Sequence, residues 1–374
     1  MNSKKIENSQ INPIIALFSS GKFQDALDSV QHLFNSFPED PILHNIAGAC
    51  YEGLGQLNSA VDYYNKAISY KPSYAKAHYN LGGALQELGK LDASVISYKA
   101  SIELDPDYAE CHNNLGNVYR ELGELDYAVD SYQQALNINP MYVESHFSLA
   151  LVFQEIGELN NLIKHLEEAV RIKPDFGEAY NILGLGYTEL DRFEDAVKSY
   201  EKAISLNPNS SDAHNNLGNV LKEFGELDKA IDSYRKALVI NPDYPSLHNN
   251  LGNVYKEMGK LTDALDSYNN ALNHNPDYAD SHNNIGLIFF ELKQFEKAIE
   301  SYEKALSIDS SLADAHNNLG VALYEFGQLD EAINSFESAI SIKSDYADAH
   351  NNLGVVLKKL GRIDDSFASS SSSK

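Results

Sequence analysis

Nine histidines recur in register along this chain: His44, His78, His112, His146, His214, His248, His282, His316 and His350, each 34 residues or twice that from the last. Imidazoles in a fixed row could hold metal ions or pass protons. Two further rows keep the same spacing. Asparagine stands at Asn80, Asn114, Asn216, Asn250, Asn284, Asn318 and Asn352, and one place earlier in the period at Asn45, Asn113, Asn181, Asn215, Asn249, Asn283, Asn317 and Asn351. Glutamate stands at Glu87, Glu121, Glu155, Glu189, Glu223, Glu257, Glu291 and Glu325. A primary amide carries donors and an acceptor, so a row of amides could pair with the backbone of an extended peptide whatever its side chains. A neighbouring row of carboxylates would draw cations. The sequence shows no phosphate-cradling glycine loop, no zinc-ligand spacing and no credible Ser-His-Asp or Cys-His set, so no catalytic residue is assigned and the chain reads as non-enzymatic.

The elements that must carry these rows are legible in Ser211–Tyr244, SDAHNNLGNVLKEFGELDKAIDSYRKALVINPDY, a string that returns every 34 residues. With Ser211 as position 1, one arc of a 3.6-residue helix collects Ala213, His214, Leu217, Gly218, Val220, Leu221 and Phe224. The opposite arc holds Asp212, Asn215, Asn216, Asn219, Lys222 and Glu223, an amide-rich wet face. This is helix A, closed by Gly225 as a left-handed cap. Leu227, Ala230, Ile231, Tyr234, Ala237 and Leu238 make helix B, which Asn241-Pro242-Asp243 terminates. Small residues at positions 8, 20 and 27 are expected to let helix backbones approach, and large ones at positions 7, 11 and 24 to fill the space beside them. One hairpin cannot bury both arcs, so neighbours must stack. The predicted fold is all-α, a right-handed superhelical solenoid of 34-residue helix-turn-helix repeats with no central core.

The wheel places position 4 on the packing arc, and successive copies lie on different helices roughly 8 to 10 Å apart. The histidines are therefore expected to be packing rings bonded to neighbouring backbone, with no metal. Asparagine is a poor helix former, and its recurrence in mid-helix points to use on a binding surface. The expected peptide-binding residues are Asn80, Asn114, Asn216, Asn250, Asn284, Asn318 and Asn352, with Asn219 and Asn253 on the same arc and Glu223, Glu257, Glu291 and Glu325 beside them.

Taken in order, residues 1–6 read as a disordered tail and 7–40 as a degenerate repeat. There Pro13 and Ile14 occupy positions 7 and 8, and proline is expected to shorten helix A. Residues 41–346 are nine consecutive repeats without one insertion, which leaves no loop for a lid. The repeat 143–176 departs furthest, with Phe147 and Ser148 for the amide pair, Ala150 for glycine, and Leu162 and Leu166 at positions 20 and 24. It reads as tolerated drift, with a local change of superhelical pitch as the alternative. Residues 347–374 begin a further repeat and run into a serine-rich tail, so helix B is expected to be cut short and its apolar face left for end-to-end self-association.

Hydrophobic content of 43% suits a folded chain, and no apolar run approaches the roughly 20 residues of a membrane helix. The first residues carry no apolar segment that would read as a secretory signal, and a cytoplasmic protein is expected. Cys50 and Cys111 fall on the packing arc and read as buried thiols. A formal charge of -25 argues against nucleic acid and anionic membrane and favours a neutral or basic protein partner. No cofactor is expected.

The 34-residue period with Leu217, Gly218, Ala230, Tyr234, Ala237 and Pro242 resembles the tetratricopeptide repeat. Across residues 41–352 the units look most like the repeat arm of protein O-linked N-acetylglucosamine transferases. That resemblance implies a concave surface lined by helix A, on which the position 6 asparagines grip peptide backbone, with gaps at Ile46, Ser148 and Ile182. The transferase half itself is expected to find no room after Phe367. Another branch of the family clamps acidic chaperone tails with basic residues at positions 2, 5 and 6, but position 2 here is Glu110, Glu144, Glu178, Asp212, Asp280, Asp314 and Asp348, with Lys76 the only basic example. The expected function is a scaffold that holds an extended neutral-to-basic segment. The alternatives are the substrate-selecting arm of a transferase-like enzyme and a self-assembling array.

Overall fold

The computed structural model describes residues 6–361. The expectations for residues 1–5 and for the truncated helix B and serine tail at 362–374 lie outside the described residues. The described chain is 79% helical with no strand.

Two units divide the chain, Met1–Leu190 and Asp191–Lys374. The first holds α1 (Asn8–Ser19), α2 (Phe23–Phe34), α3 (Pro41–Gly53), α4 (Leu57–Tyr70), α5 (Ala75–Glu87), α6 (Leu91–Leu104), α7 (Ala109–Glu121), α8 (Leu125–Ile138), α9 (Val143–Glu155), α10 (Leu159–Ile172) and α11 (Gly177–Glu189). The second holds α12 (Phe193–Leu206), α13 (Ser211–Glu223), α14 (Leu227–Ile240), α15 (Pro245–Glu257), α16 (Leu261–His274), α17 (Ala279–Glu291), α18 (Phe295–Ile308), α19 (Ala313–Phe326), α20 (Leu329–Ile342) and α21 (Ala347–Lys359). Within each unit an A helix pairs with its own B helix, and that B helix packs on the next A helix. Consecutive A helices also touch, as α3 with α5 and α17 with α19 do. Each unit is thus a stack of hairpins, an all-α helical solenoid.

Helix B stops where the sequence requires it. Asn241, held before Pro242, takes φ -132 and ψ 85, outside the helical region. Its N–H still donates to Ala237 O at 2.9 Å. At the A-to-B turn, position 15 adopts positive φ whether or not it is glycine. Gly225 has φ 79, whereas Asp191 has φ 55 and Lys293 has φ 58. A side chain costs about 1–2 kcal/mol in that region, least for Asp. Lys293→Gly should therefore stabilise the second unit by about 1 kcal/mol, read as a higher urea midpoint with an unchanged slope.

The reason for glycine at position 8 differs from the one expected. It is a side-chain ring, not a second backbone, that needs the space: a Cβ on Gly252 would lie 2.6 Å from the Tyr268 ring, and one on Gly218 2.7 Å from Tyr234. The repeat 143–176 shows the reciprocal solution. Its position 8 is Ala150 and its position 24 is Leu166, both fully buried, so the smaller ring-free side chain admits the extra methyl. Leu162, larger than the usual alanine at position 20, is met by Gly186 in the following repeat, where a Cβ would lie 3.0 Å from Leu162 Cδ2. The changes that read as drift are matched pairs.

Two other expectations are corrected. α1 runs 12 residues with Pro13 inside it and is not shortened appreciably. The proline forgoes one hydrogen bond, while Ile11 and Ile14 at 6% and 2% exposure anchor the helix to its neighbours. Phe224, expected on the packing arc, is 41% exposed at the C-cap of α13, where its ring meets that of Phe193 at 6.0 Å between centroids.

Candidate functional site

Helix A carries all three rows, and the structure gives each a different task. The histidine row is a set of joints. In all nine repeats the Nε2–H of position 4 donates to the carbonyl six residues earlier. The row runs from His44 to Pro38 O at 2.9 Å, through His248 to Pro242 O at 2.8 Å, to His350 to Ser344 O at 3.0 Å. Each bond ties the turn that ends one repeat to the helix that opens the next, as the packing expectation required.

The amide rows interlock. The position 6 amide donates to the position 5 carbonyl of the preceding repeat: Asn80 to Asn45 at 3.0 Å, Asn250 to Asn215 at 3.1 Å, Asn284 to Asn249 at 3.0 Å, Asn318 to Asn283 at 3.2 Å and Asn352 to Asn317 at 3.0 Å. Asn114 makes the equivalent bond to the hydroxyl of Tyr79 at 3.0 Å. Position 5 was expected on the wet face, yet Asn45, Asn113, Asn249 and Asn317 are buried at 8%, 4%, 6% and 8% exposure. The next A helix lies over that position and supplies further donors, Ser145 Oγ to Asn113 at 2.9 Å and Ser281 Oγ to Asn249 at 3.1 Å. Position 6 stays half-buried.

Position 9 joins the same network. The Tyr234 hydroxyl donates to Asn219 Oδ1 at 2.6 Å and Tyr268 to Asn253 Oδ1 at 2.8 Å. Asn250 and Asn284 reach the same two carbonyls at 3.4 and 3.2 Å. These amides therefore satisfy a polar hydroxyl at the end of a buried ring, a role the sequence reading missed. Its signal was there: asparagine at position 9 occurs only in repeats with tyrosine at position 24.

The position 13 glutamates, Glu223, Glu257, Glu291 and Glu325 among them, are exposed as expected. Some take partners from position 12 of the repeat before. Arg120 pairs with Glu155 at 2.7 Å, and Gln86 donates to Glu121 at 2.5 Å. Lys222 sits beside Glu223 on the same helix at 2.8 Å. Within each unit these position 13 carboxylates thus alternate with cations or amides at position 12.

Cys50 and Cys111 are fully buried, and burial pushes both thiols up to about 11, so neither is a poised nucleophile. A second imidazole contact occurs in the divergent repeat. His146 gives its Nε2–H to Pro140 O at 3.1 Å, so its Nδ1 accepts from the Nδ1–H of His165 at 3.1 Å. Burial, with His146 beside it, pushes His165 down to about 4 from the ordinary 6.5. Below the ordinary value the unfolded chain takes up a proton that the folded ring refuses, so stability is constant above it and falls as pH drops towards 4. The loss at about pH 5 should be on the order of 2 kcal/mol. Urea titrations of the parent and of His165→Phe at neutral and acidic pH would read it, and the variant should lose much of the slope.

A family model described as "TPR repeat" matches residues 48–89, 84–119, 116–157, 184–225, 218–259, 252–293, 286–327 and 322–361, and one described as "Tetratricopeptide repeat" matches 143–176. No curated protein matches the chain in sequence. Among solved structures the chain is similar to MamA, at 30% identity over 46% of this chain and 93% of that one, with a TM-score of 0.44. It is also similar to YrrB, described as "a TPR protein with an unusual peptide-binding site", at 22% identity over 49% and 95% with a TM-score of 0.46. Yeast Tom70 spans 96% of this chain and 90% of its own at 17% identity and a TM-score of 0.50, a likeness of fold alone.

Proposed function

Because this chain belongs to the tetratricopeptide-repeat family, we propose that it is a protein-binding scaffold whose A-helix faces hold an extended, neutral-to-basic segment of a partner. The observation that carries this reading is the row of half-buried position 6 amides, fixed by their neighbours and flanked by exposed glutamates. Asn250, Asn284, Asn318 and Asn352 each spend a hydrogen on the preceding repeat, as Asn318 does on Asn283 at 3.2 Å, and present Oδ1 to a peptide N–H. A pre-oriented acceptor loses little entropy on binding. Asn80, Asn114, Asn216, Asn250, Asn284, Asn318 and Asn352 are the backbone contacts of this proposal, and Glu223, Glu257, Glu291 and Glu325 the charge that steers the partner. Asn219 and Asn253 act behind them by orienting Asn250 and Asn284.

Repeats of this family typically serve as non-catalytic scaffolds, and the formal charge of -25 supports a protein partner over nucleic acid or an anionic membrane. The second reading, a substrate-selecting arm of a transferase-like enzyme, keeps one support, the position 6 asparagine register itself.

The test begins with a pull-down by the intact chain, after which the captured segment is titrated over a range of salt. Replacing Glu223, Glu257, Glu291 and Glu325 by Gln should flatten the salt dependence. Replacing Asn250, Asn284, Asn318 and Asn352 by Ala should weaken binding at every salt, by about 0.5–1.5 kcal/mol per hydrogen bond lost. Parental affinity in the alanine variant would overturn the reading.

A further inference from the structure

Both rows break in the repeat that starts at Pro41. Ile46 stands at the ladder position, Ala49 at position 9 and Gly53 at the glutamate position. The structure opens a cleft of about 570 Å³ at that place, within the range of small-ligand sites. Its walls include Ile15, Phe18 and Ile46, and its polar lining includes Glu52, Glu87 and Lys76. Ile15 is 48% exposed, an apolar side chain left open to water at the edge.

The break explains where the carboxylate went. The ring of Phe23 lies over Gly53, so that a Cβ there would be 2.7 Å from Phe23 Cδ1, and no glutamate fits. The acid stands one place earlier, at Glu52, and is half-buried instead of exposed. Where three other repeats offer the carbonyl of Asn117, Asn219 or Asn253 to the position 24 hydroxyl, Ala49 offers none, and Tyr64 donates to Glu52 Oε2 at 2.5 Å. That bond fixes the carboxylate while engaging one of its oxygens. Burial, with Glu87 nearby, holds Glu52 above the usual carboxylate range, against the opposing pull of the Tyr64 hydroxyl and the Lys76 charge. Lys76 acts on Glu52 through its charge from the same lining, while its ammonium donates to Tyr108 Oη at 2.7 Å and lies 4.4 Å over the Tyr79 ring.

We propose that this cleft binds the side chain of an arginine next to an apolar residue on the partner segment, with the guanidinium on Glu52 and Glu87 and the stem against Ile46 and Phe18. The planar, weakly hydrated guanidinium pairs with carboxylates through two parallel bonds, and its stem covers apolar surface. A lysine ammonium is more strongly hydrated and suits a half-buried site less. This inference rests on the peptide-scaffold reading and names the residue type that one end of the surface selects.

The probe is a fluorescein-labelled, acetylated and amidated Gly/Ser peptide carrying one Leu-Arg pair, compared with the same peptide bearing citrulline, which keeps the shape and loses the charge. Anisotropy titrations with the whole chain should show arginine binding about tenfold tighter or more. Glu87→Gln, on an exposed carboxylate, should remove most of that preference while leaving the melting curve unchanged, and Glu52→Gln should do the same if it folds. Equal affinity for the two peptides, no binding of either, or an arginine preference that survives Glu87→Gln would overturn the proposal. The alanine variant of Asn250, Asn284, Asn318 and Asn352 separates the two readings. If it loses the pulled-down partner while arginine is not preferred, the amide surface stands without the cleft. If arginine is preferred and that variant binds its partner normally, the cleft stands and the amide surface falls.

Discussion

Replacing Gly252 by alanine is expected to destabilise the second unit by about 3 kcal/mol. The new methyl would lie 2.6 Å from the Tyr268 ring, which is fully buried and cannot retreat into water. Overpacking a filled core costs roughly 1–3 kcal/mol, and the ring's hydroxyl would also be pulled from Asn253, to which it donates at 2.8 Å. The chain already contains the remedy in Ala150 with Leu166. Tyr268→Leu alone should cost on the order of 2 kcal/mol through lost ring burial. Made together, the two changes should cost clearly less than their sum, because a leucine side chain in place of the ring admits the methyl. A double-mutant cycle in urea measures the coupling. Strict additivity would mean that the ring and the glycine are not a matched pair.

The second large effect concerns the amide row and is one of stability as well as binding. Asn250, Asn284, Asn318 and Asn352 together hold Asn215, Asn249, Asn283 and Asn317 across repeat junctions. Alanine at all four removes those bonds, each worth about 1 kcal/mol net, while better helix propensity returns about 0.5 kcal/mol at each site. A net loss of about 2 kcal/mol is expected, larger at Asn352 because Asn317 is left buried with its carbonyl stripped of that donor. A melting curve of the quadruple variant identical to the parent would show that the junction bonds carry no net energy, and binding losses can be assigned to the ligand only after this term is subtracted.

The period, the helix B boundaries and the packing role of the histidines were legible, because each follows from one repeat and its helical wheel. Leu227–Ile240 falls where the wheel and the turn residues put it, and Ser211–Glu223 ends one residue before the Phe224 that the wheel had set on its packing arc. What a wheel cannot supply is the neighbouring helix. Asn249 faces outward on its own cylinder, yet α17 covers it and brings Ser281 and Asn284 to its carbonyl. The same blindness affected Gly252, whose partner Tyr268 stands on another helix, and Leu162, whose partner is Gly186 in the next repeat. Both pairings were visible as joint departures, Ala150 with Leu166 inside the repeat 143–176 and Leu162 with Gly186 across its junction with the next, which become informative when positions are compared two at a time. The cleft beside Gly53 was hidden for a further reason. It depends on Phe23, in a degenerate repeat where the pattern gives least guidance.

The Leu162–Gly186 fit also bears on how such an array can change its copy number. Duplicating or losing one whole unit by recombination keeps the reading frame and the period, so most junctions should heal. Removing residues 245–278 would set Ala230 against Ile288 where Val254 had been, a difference of one methylene at a fully buried contact. Removing residues 143–176 would instead bring Ala128 to Gly186, two small residues facing the space that Leu162 fills. A void of that size costs roughly 2–5 kcal/mol. One unit of the chain is therefore not interchangeable with its copies, and the lineage can shorten or lengthen cheaply at the junctions of the later repeats but not at this one.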